Sequence, residues 1–414
     1  MKRLRTLFAC VALSSLAMAQ GPANGLTLQQ VLEKLKTQSP TLAAARAHLE
    51  ATKANQVTAA LRPNPVLSSA NQDFNIFNPS QFDIANGQEF TDSMTWLIER
   101  GNKRRARITS ATLETVVAEE NLRDTLRQLE FAAKSAFVAM LAAKENLKLA
   151  QANLLDFQQT LEGNRIRLQA GDISETEFDR SQVEEARFQT DLLSAELALK
   201  QARVQLGALL GTDDSTQFDI SGTLVPPLLQ VTFEQLRDQA LANRPDYLAA
   251  RDLVRKAEAD FRLATANGAT DFSLAPEYKR NGPENTLGFT VVVPLRIFDR
   301  NQGEKLRTNR EIESSKFAEN AARIQVVADL RQAWDAYQTA LERSRLYRTE
   351  YLNRARTVRD RLAFSYQHGA TSLLDYLDAM RTFRDVQLSA NTSDALLLNS
   401  IHQLSFVTGT ELMP

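Results

Sequence analysis

The feature that most constrains this chain is that it repeats itself. LTLQQVLEKLKTQSPTLAAARA (26–47) returns as VTFEQLRDQALANRPDYLAARD (231–252), with Thr27 on Thr232, Pro40 on Pro245 and Arg46 on Arg251, an offset of 205. LIERGNKRR (97–105) echoes IFDRNQGE (297–304), pairing Glu99-Arg100 with Asp299-Arg300 at an offset of 200. RLQAGDISETEFD (167–179) matches SYQHGATSLLDYL (365–377), with Gly171 on Gly369 and Ser174 on Ser372. VQLGALLGT (204–212) matches IHQLSFVTGT (401–410), with Gly211 on Gly409, and both of these last pairs stand 198 apart. Four anchors in one order, with a slowly drifting offset, mean one structural plan used twice.

Each copy reads as helix, β-hairpin, very long helix, tight turn, long helix. The first copy spans 20–210, with a hairpin at 63–98 and long helices at 101–169 and 174–210. A turn-rich segment, 211–230, joins it to the second copy at 231–414, whose hairpin is 271–297 and whose long helices are 301–368 and 372–408. Only 15 Gly and 12 Pro occur in 414 residues, which leaves room for helices of this length.

The long helices carry heptads. Leu126, Ala133, Met140, Leu147, Leu154, Leu161 and Leu168 form one row, and Leu122, Leu129, Ala136, Ala143, Ala150, Phe157 and Asn164 form the other. A sustained apolar repeat of this kind is a coiled-coil seam. A helix over 102–169 would run about 100 Å at 1.5 Å per residue, longer than an ordinary globular core. The return helix offers Val183, Ala186, Thr190, Leu193, Leu197, Val204 and Gly207. Its counterpart offers Phe383, Val386, Ala390, Ser393, Leu397 and Leu404.

The hairpins alternate. Phe272, Leu274, Pro276 and Tyr278 oppose Ser273, Ala275, Glu277 and Lys279, and Leu287, Phe289, Val291, Val293, Leu295 and Ile297 share one face of the return strand. One apolar and one polar face suit either a soluble core or a membrane barrel. In the first hairpin Phe90, Met94, Trp96 and Ile98 fall on even positions. Aligning its Phe90-Thr91 with Phe289-Thr290 gives an offset of 199 against 200 at the joint, which predicts a bulge or irregularity near that strand's end. Four strands cannot close a barrel, so a barrel requires several chains, and three would supply twelve strands.

The N-terminus, MKRLRTLFACVALSSLAMAQ, has a basic start, a short apolar core and Ala17-Met18-Ala19, which predicts a signal peptide over 1–19. Cys10, the only cysteine, lies inside the apolar core rather than after it, so it does not fit a lipidation site. No later segment offers eighteen consecutive apolar residues, and any membrane entry must be as a barrel. A formal net charge of −1 gives no basis for nucleic-acid binding.

With these features the sequence resembles the TolC-type outer-membrane efflux factors over almost its whole length. PLRIFDRNQGE (294–304) and IERGNKRRARI (98–108) resemble the post-strand motifs of the CzcC/CusC-like heavy-metal branch. The resemblance implies a mainly helical trimer, with a 12-stranded outer-membrane barrel joined to a periplasmic α-helical tunnel. It also implies partners: a periplasmic adaptor (membrane fusion protein) and an inner-membrane pump of the RND type. The channel itself would be passive. By this resemblance Arg167, Leu168, Gly171, Ser365, Tyr366 and Gly369 form helix-tip adaptor contacts. Asp375 and Asp378, three apart on one helix face, match pore-narrowing aspartates, with Glu177 as the first-copy counterpart of Asp375. Thr371 stands where some members carry a basic latch, so that latch is not expected here.

Glu99, Arg100, Asp299, Arg300, Asn301, Gln302 and Gly303 make the strand-to-helix joints, with Asp299 and Asn301 as candidate helix caps. The basic run NKRRAR (102–107) reads as tunnel-entrance charge or a solvated first turn. No catalytic constellation, cofactor loop or metal-ligand spacing occurs: His48, His368 and His402 are scattered, and GALLGT (207–212) lacks the Lys-Ser/Thr of a phosphate loop. His368 is the one histidine placed at a tip, where it could sense protons or bind metal weakly. Drug or protein export, a secreted structural coiled coil and a periplasmic binding or adaptor protein are the rival functions.

Overall fold

The computed structural model describes residues 25–73, 88–212 and 218–413; the signal-peptide residues, Cys10 and the tip of the first hairpin lie outside them. The first copy comprises α1 (Leu28–Gln38), α2 (Pro40–Ala60), β1 (Val66–Gln72), β2 (Glu89–Ile98), α3 (Lys103–Ala170) and α4 (Glu175–Leu209). The second comprises α5 (Phe233–Asn243), α6 (Pro245–Asn267), β3 (Phe272–Asn281), β4 (Glu284–Val292), α7 (Gln302–Leu346), α8 (Leu352–Gln367) and α9 (Leu373–Thr408). The repeat extends to the caps. Thr27 and Thr232 each form a capping box with the Gln three residues on, and Pro40 and Pro245 each open a helix at its first turn.

The four strands form one antiparallel sheet in the order β1-β2-β3-β4. Pairing places Phe90 opposite Arg280, Trp96 opposite Leu274, and Leu274 in turn opposite Val291. Leu67, Met94, Trp96, Leu274, Phe289 and Val291 therefore share one face, across both copies. Parity differs between the copies, and the pairing absorbs the difference. Leu287 and Phe289 on that face are 87% and 73% exposed in the single chain, so the apolar face looks outward. Among the described residues no further strand pairs with the outer edges of β1 and β4. The hairpin between β3 and β4 turns on Gly282 (φ +54°) and Pro283, and β4 ends at Val292, so Leu295 and Ile297 lie beyond the strand rather than in it.

The expected bulge is absent. Register is constant along β2 on both sides, as far as Thr95 against β1 and as far as Ile98 against β3. The expectation rested on equating Glu99-Arg100 with Asp299-Arg300. The joints instead superpose Asn102 on Asn301, the left-handed residues (φ +58° and +63°) that precede α3 and α7. That offset is 199, the same as in the strands, so no residue slips.

α3 is an unbroken helix of 68 residues. Its counterpart is not: a π-turn at Tyr347–Tyr351 separates α7 from α8, where one continuous helix over 301–368 was expected. The turn has a packing consequence. In α7 the stripe Leu330, Ala333, Tyr337 and Ser344 is buried on a heptad phase that would continue to Tyr351, Val358 and Ser365. Tyr351 and Val358 are exposed, whereas Leu352 and Arg359 are partly covered and Tyr366 is buried. One extra residue in the helical turn has advanced the stripe by one position.

The seam of α9 lies where the heptads place it, with Phe383, Ala390, Ser393, Leu397 and Leu404 buried. That of α4 does not. The buried stripe is Ser181, Glu184, Phe188, Ala202 and Leu206, while Val183, Leu193, Leu197 and Val204 are all more than half exposed. Heptad counting found an apolar row but could not tell which of two rows faces its own chain.

The segment joining the copies closes back on the start of the first. Leu26 bridges Ile220, its amide donating to Asp219 O at 2.7 Å, and Leu26, Ile220 and Leu224 pack with Phe137, Met140, Leu141 and Leu206 at mid-length of α3. A matching core in the second copy joins Leu236, Leu330, Tyr337, Ile401 and Leu404.

Candidate functional site at the helix tip and the strand-to-helix joint

Both tips reverse by the same chemistry. Gly171 (φ +80°) and Gly369 (φ +70°) occupy the left-handed position after the helix. The following amides, Asp172 and Ala370, donate back to Arg167 O and Ser365 O at 2.8 Å. Ser174 and Ser372 then cap α4 and α9, each hydroxyl accepting the amide three residues on, at Glu177 and Asp375.

The expected tip residues separate into surface and core. Gly171 and Gly369 are exposed, and Arg167, Leu168 and Ser365 are partly so. Tyr366 is 3% exposed, which places it inside the tip and not on a contact surface. Its ring stacks on Tyr376 at 5.2 Å and 5°, with the Arg167 guanidinium 5.0 Å from the ring centre on another side. Its hydroxyl donates to Asn164 Oδ1 at 2.9 Å, with Glu177 Oε1 at 3.3 Å as a second acceptor. Burial and the nearby Glu177 charge push the Tyr366 phenol up to about 12. Asn164 also donates to Ser181 Oγ at 2.9 Å, and Tyr376 shares a hydrogen bond with Thr160 at 3.0 Å. Phe157, Phe188, Leu373, Leu377 and Met380 complete this core.

The three expected constriction carboxylates are not alike. Glu177 faces the Tyr366 hydroxyl and so belongs partly to the core. Asp375 is exposed and accepts from Ser372 Oγ at 2.7 Å and Thr371 Oγ1 at 3.1 Å, which hold its carboxyl below the usual range. Asp378 is exposed one turn further along. His368 is folded onto its own helix, Nδ1 2.8 Å from Phe364 O and its ring 4.1 Å from that of Phe364.

Sequence reasoning missed the ion pairs that tie the copies together. Glu184 of α4, its side chain 3% exposed, accepts from Arg381 of α9 through both oxygens, Nε lying 2.8 Å from Oε1. The Arg381 hydrogen bonds hold the Glu184 carboxyl below its usual range. Arg384 pairs with Asp191 at 2.6 Å. Within the second copy, Arg348 of the π-turn pairs at 2.6 Å with the buried Asp394. A charged residue recurring within an otherwise apolar or small-residue stripe, as Glu184 does between Ser181 and Phe188, was the available signal.

At the first joint three of the four cations of the basic run are tied down in structural contacts, contrary to the reading as a solvated or entrance charge, while Arg105 is exposed. Lys103 is buried and its Nζ reaches Asp271 Oδ2 at 2.5 Å, while the other oxygen of Asp271 accepts the Arg100 amide at 2.8 Å. Arg107 holds Glu99 through two nitrogens. Arg104 Nε donates to Ala60 O at 2.6 Å, strapping the end of α2 to α3. Asp271, which the sequence gave no reason to single out, is thus the anchor of the joint.

At the second joint neither expected cap bonds a free helix amide. Asp299 Oδ1 accepts the Asn301 amide at 2.8 Å, Gln302 Oε1 accepts the Arg300 amide at 2.8 Å, and the Asn301 side chain donates to Ala264 O at 2.6 Å. Gly303, in the first turn of α7, has open space around it. The joints are held by turns and cross-links to the preceding helix hairpin rather than by caps.

Among the described residues no group of three or more His, Cys, Asp or Glu side chains could hold a metal ion. No described helix is long and apolar enough to cross a membrane.

Known proteins share this plan. The chain is 26% identical over 366 residues to the cobalt-zinc-cadmium resistance protein CzcC of Cupriavidus metallidurans, covering 88% of this chain and 84% of that one. It is 25% identical over 308 residues to the pyoverdine export outer membrane protein OpmQ of Pseudomonas putida, covering 69% and 63%. A solved structure of CusC superposes with a TM-score of 0.77 at 16% identity, over 92% of each chain. The outer membrane efflux protein family matches residues 31–212 and 236–410, the two copies almost end to end. A duplicated chain with an outward apolar sheet on helices about 100 Å long is thus a member of the outer membrane efflux protein family, an efflux duct of the outer membrane with a large periplasmic part.

Proposed function

We propose that three copies of this chain assemble into the duct and that its cargo is heavy-metal cations. The sheet carries the trimer reading. Among the described residues it has one continuous apolar face, two free edges and four strands, and pairing β4 of one copy with β1 of the next closes a twelve-stranded barrel. The uncovered α4 row of Val183, Leu193, Leu197 and Val204 then meets a neighbouring copy instead of water. The tip glycines and the residues around them meet a periplasmic adaptor, and an RND-type inner-membrane pump supplies the energy. Three-fold symmetry turns Asp375 and Asp378 into rings of negative charge at the narrow end.

The likeness to CzcC over most of both chains supports the metal reading, with the cation as passing cargo. The likeness to OpmQ supports a second reading, export of a small organic molecule. Deleting the gene and scoring growth on cobalt, zinc, cadmium, copper, nickel and organic toxicants separates them. Sensitivity to divalent metals is expected; sensitivity to organic compounds alone overturns the metal assignment. A monomer in gentle detergent overturns the trimer.

A further inference from the structure

The first joint encloses a groove of about 630 Å³ between the foot of the β1–β2 hairpin, the end of α2 and the first turns of α3. Its walls are already strapped. Arg104 donates to Ala60 O, Arg107 to Leu61 O, and Lys103 is neutralised by Asp271. The one carboxylate on the groove, Glu99, is neutralised by Arg107. Three guanidiniums remain on it, those of Arg62, Arg100 and Arg105, with no side-chain partner among the described residues. Beside them are Leu97 and Ile98, both more than a third exposed at the end of a strand of the lipid-facing sheet.

Three unpaired guanidiniums next to exposed apolar side chains match a molecule with an anionic head and an apolar tail. The position fits one source. The groove lies where the apolar sheet ends and the tunnel helices begin, which is the level of the leaflet facing the periplasm. The corresponding second joint marks the same boundary, with Leu295, Ile297 and Phe298 62–89% exposed and Arg296 and Arg300 between and after them.

We propose that this groove binds the phosphate of an anionic glycerophospholipid of the periplasm-facing leaflet, with its acyl chains along the sheet. The lipid would complete the foot of the barrel, clamping the hairpin to α2 and α3. The duct would thereby gain a fixed height in the membrane. Each guanidinium near a lipid surface is worth roughly a fivefold change in affinity, so losing three costs about a hundredfold.

The test titrates short-chain phosphatidylglycerol into the full-length protein in a neutral detergent, followed by calorimetry. Short-chain phosphatidylcholine and inorganic phosphate serve as probes of tail and head alone. The expected result is saturable phosphatidylglycerol binding, weak phosphatidylcholine and phosphate binding, and a loss of about a hundredfold in Arg62→Gln/Arg100→Gln/Arg105→Gln. If the triple variant does not fold, Arg100→Gln and Arg105→Gln singly should each lower affinity about fivefold. Equal binding of the two lipids, phosphate binding as tight as lipid, or undiminished binding by the variants each overturns the proposal.

Discussion

Replacing Arg381 by Met tests the idea that the two copies are locked together by a buried charge. Glu184 is 3% exposed and is held by Arg381 through both oxygens, with Arg187 a weaker second partner at 3.4 Å. Removing one member of a buried pair strands the other and costs about 3–5 kcal/mol. Arg381 is itself 34% exposed and Arg187 remains, so screening reduces the expected loss to about 2 kcal/mol. The sign with pH follows from Glu184. Its folded pKa is depressed by Arg381, so the pair stabilises above the unfolded value and is lost as pH falls through the folded one. In the variant the same carboxyl is buried without its main partner, its pKa rises, and protonation relieves the penalty. The gap between parent and variant should therefore be wide at about pH 7.5 and narrow toward about pH 5. Thermal unfolding in detergent, followed by far-ultraviolet circular dichroism at a fixed scan rate, reads it. The double variant Arg381→Met/Glu184→Met should recover most of the loss, because no charge is left stranded. A gap independent of pH, or a double variant no better than the single, would refute the reasoning.

Three further outcomes are expected. Tyr366→Phe removes the donor to Asn164 and Glu177 and should cost about 1 kcal/mol, seen as faster limited proteolysis at the tips with unchanged global melting. Asp375→Ala/Asp378→Ala should reduce the cation preference of single channels in planar bilayers, and unchanged selectivity would remove these residues from the pore. Deleting Thr349 from the π-turn should return the helix to a regular period and, by placing Tyr366 on the phase of Leu330, Tyr337 and Ser344, leave it on its packing face, so tip proteolysis should stay close to that of the parent; a tip loosened as in Tyr366→Phe would refute the one-residue account.

The tips show why some of the site was legible in the sequence. Gly171, Gly369, Ser174 and Ser372 each do a local job, reversing a helix or capping one, and local jobs leave local signatures. The carboxylates near them were visible as residue types but not in their roles. Whether an acidic side chain meets a tyrosine, two hydroxyls or open solvent depends on partners on another helix, and this separates Glu177, Asp375 and Asp378. NKRRAR (102–107) makes the same point. Its charge was plain, but its partners, Ala60, Glu99 and Asp271, come from three other segments.

The sequence by itself determined the duplicated plan, the element order, the long helices and the alternating strands. Each follows from a periodicity or a turn residue acting within a few positions of the chain. Tertiary structure decided which of two apolar rows on α4 is buried, where the stripe of α7 jumps by one residue, and which strand positions of opposite parity share a face. It also decided that Lys103, Glu184 and Asp394 would be buried and paired. These outcomes rest on contacts between residues far apart in the chain, and a periodicity says that a face exists without saying what it meets.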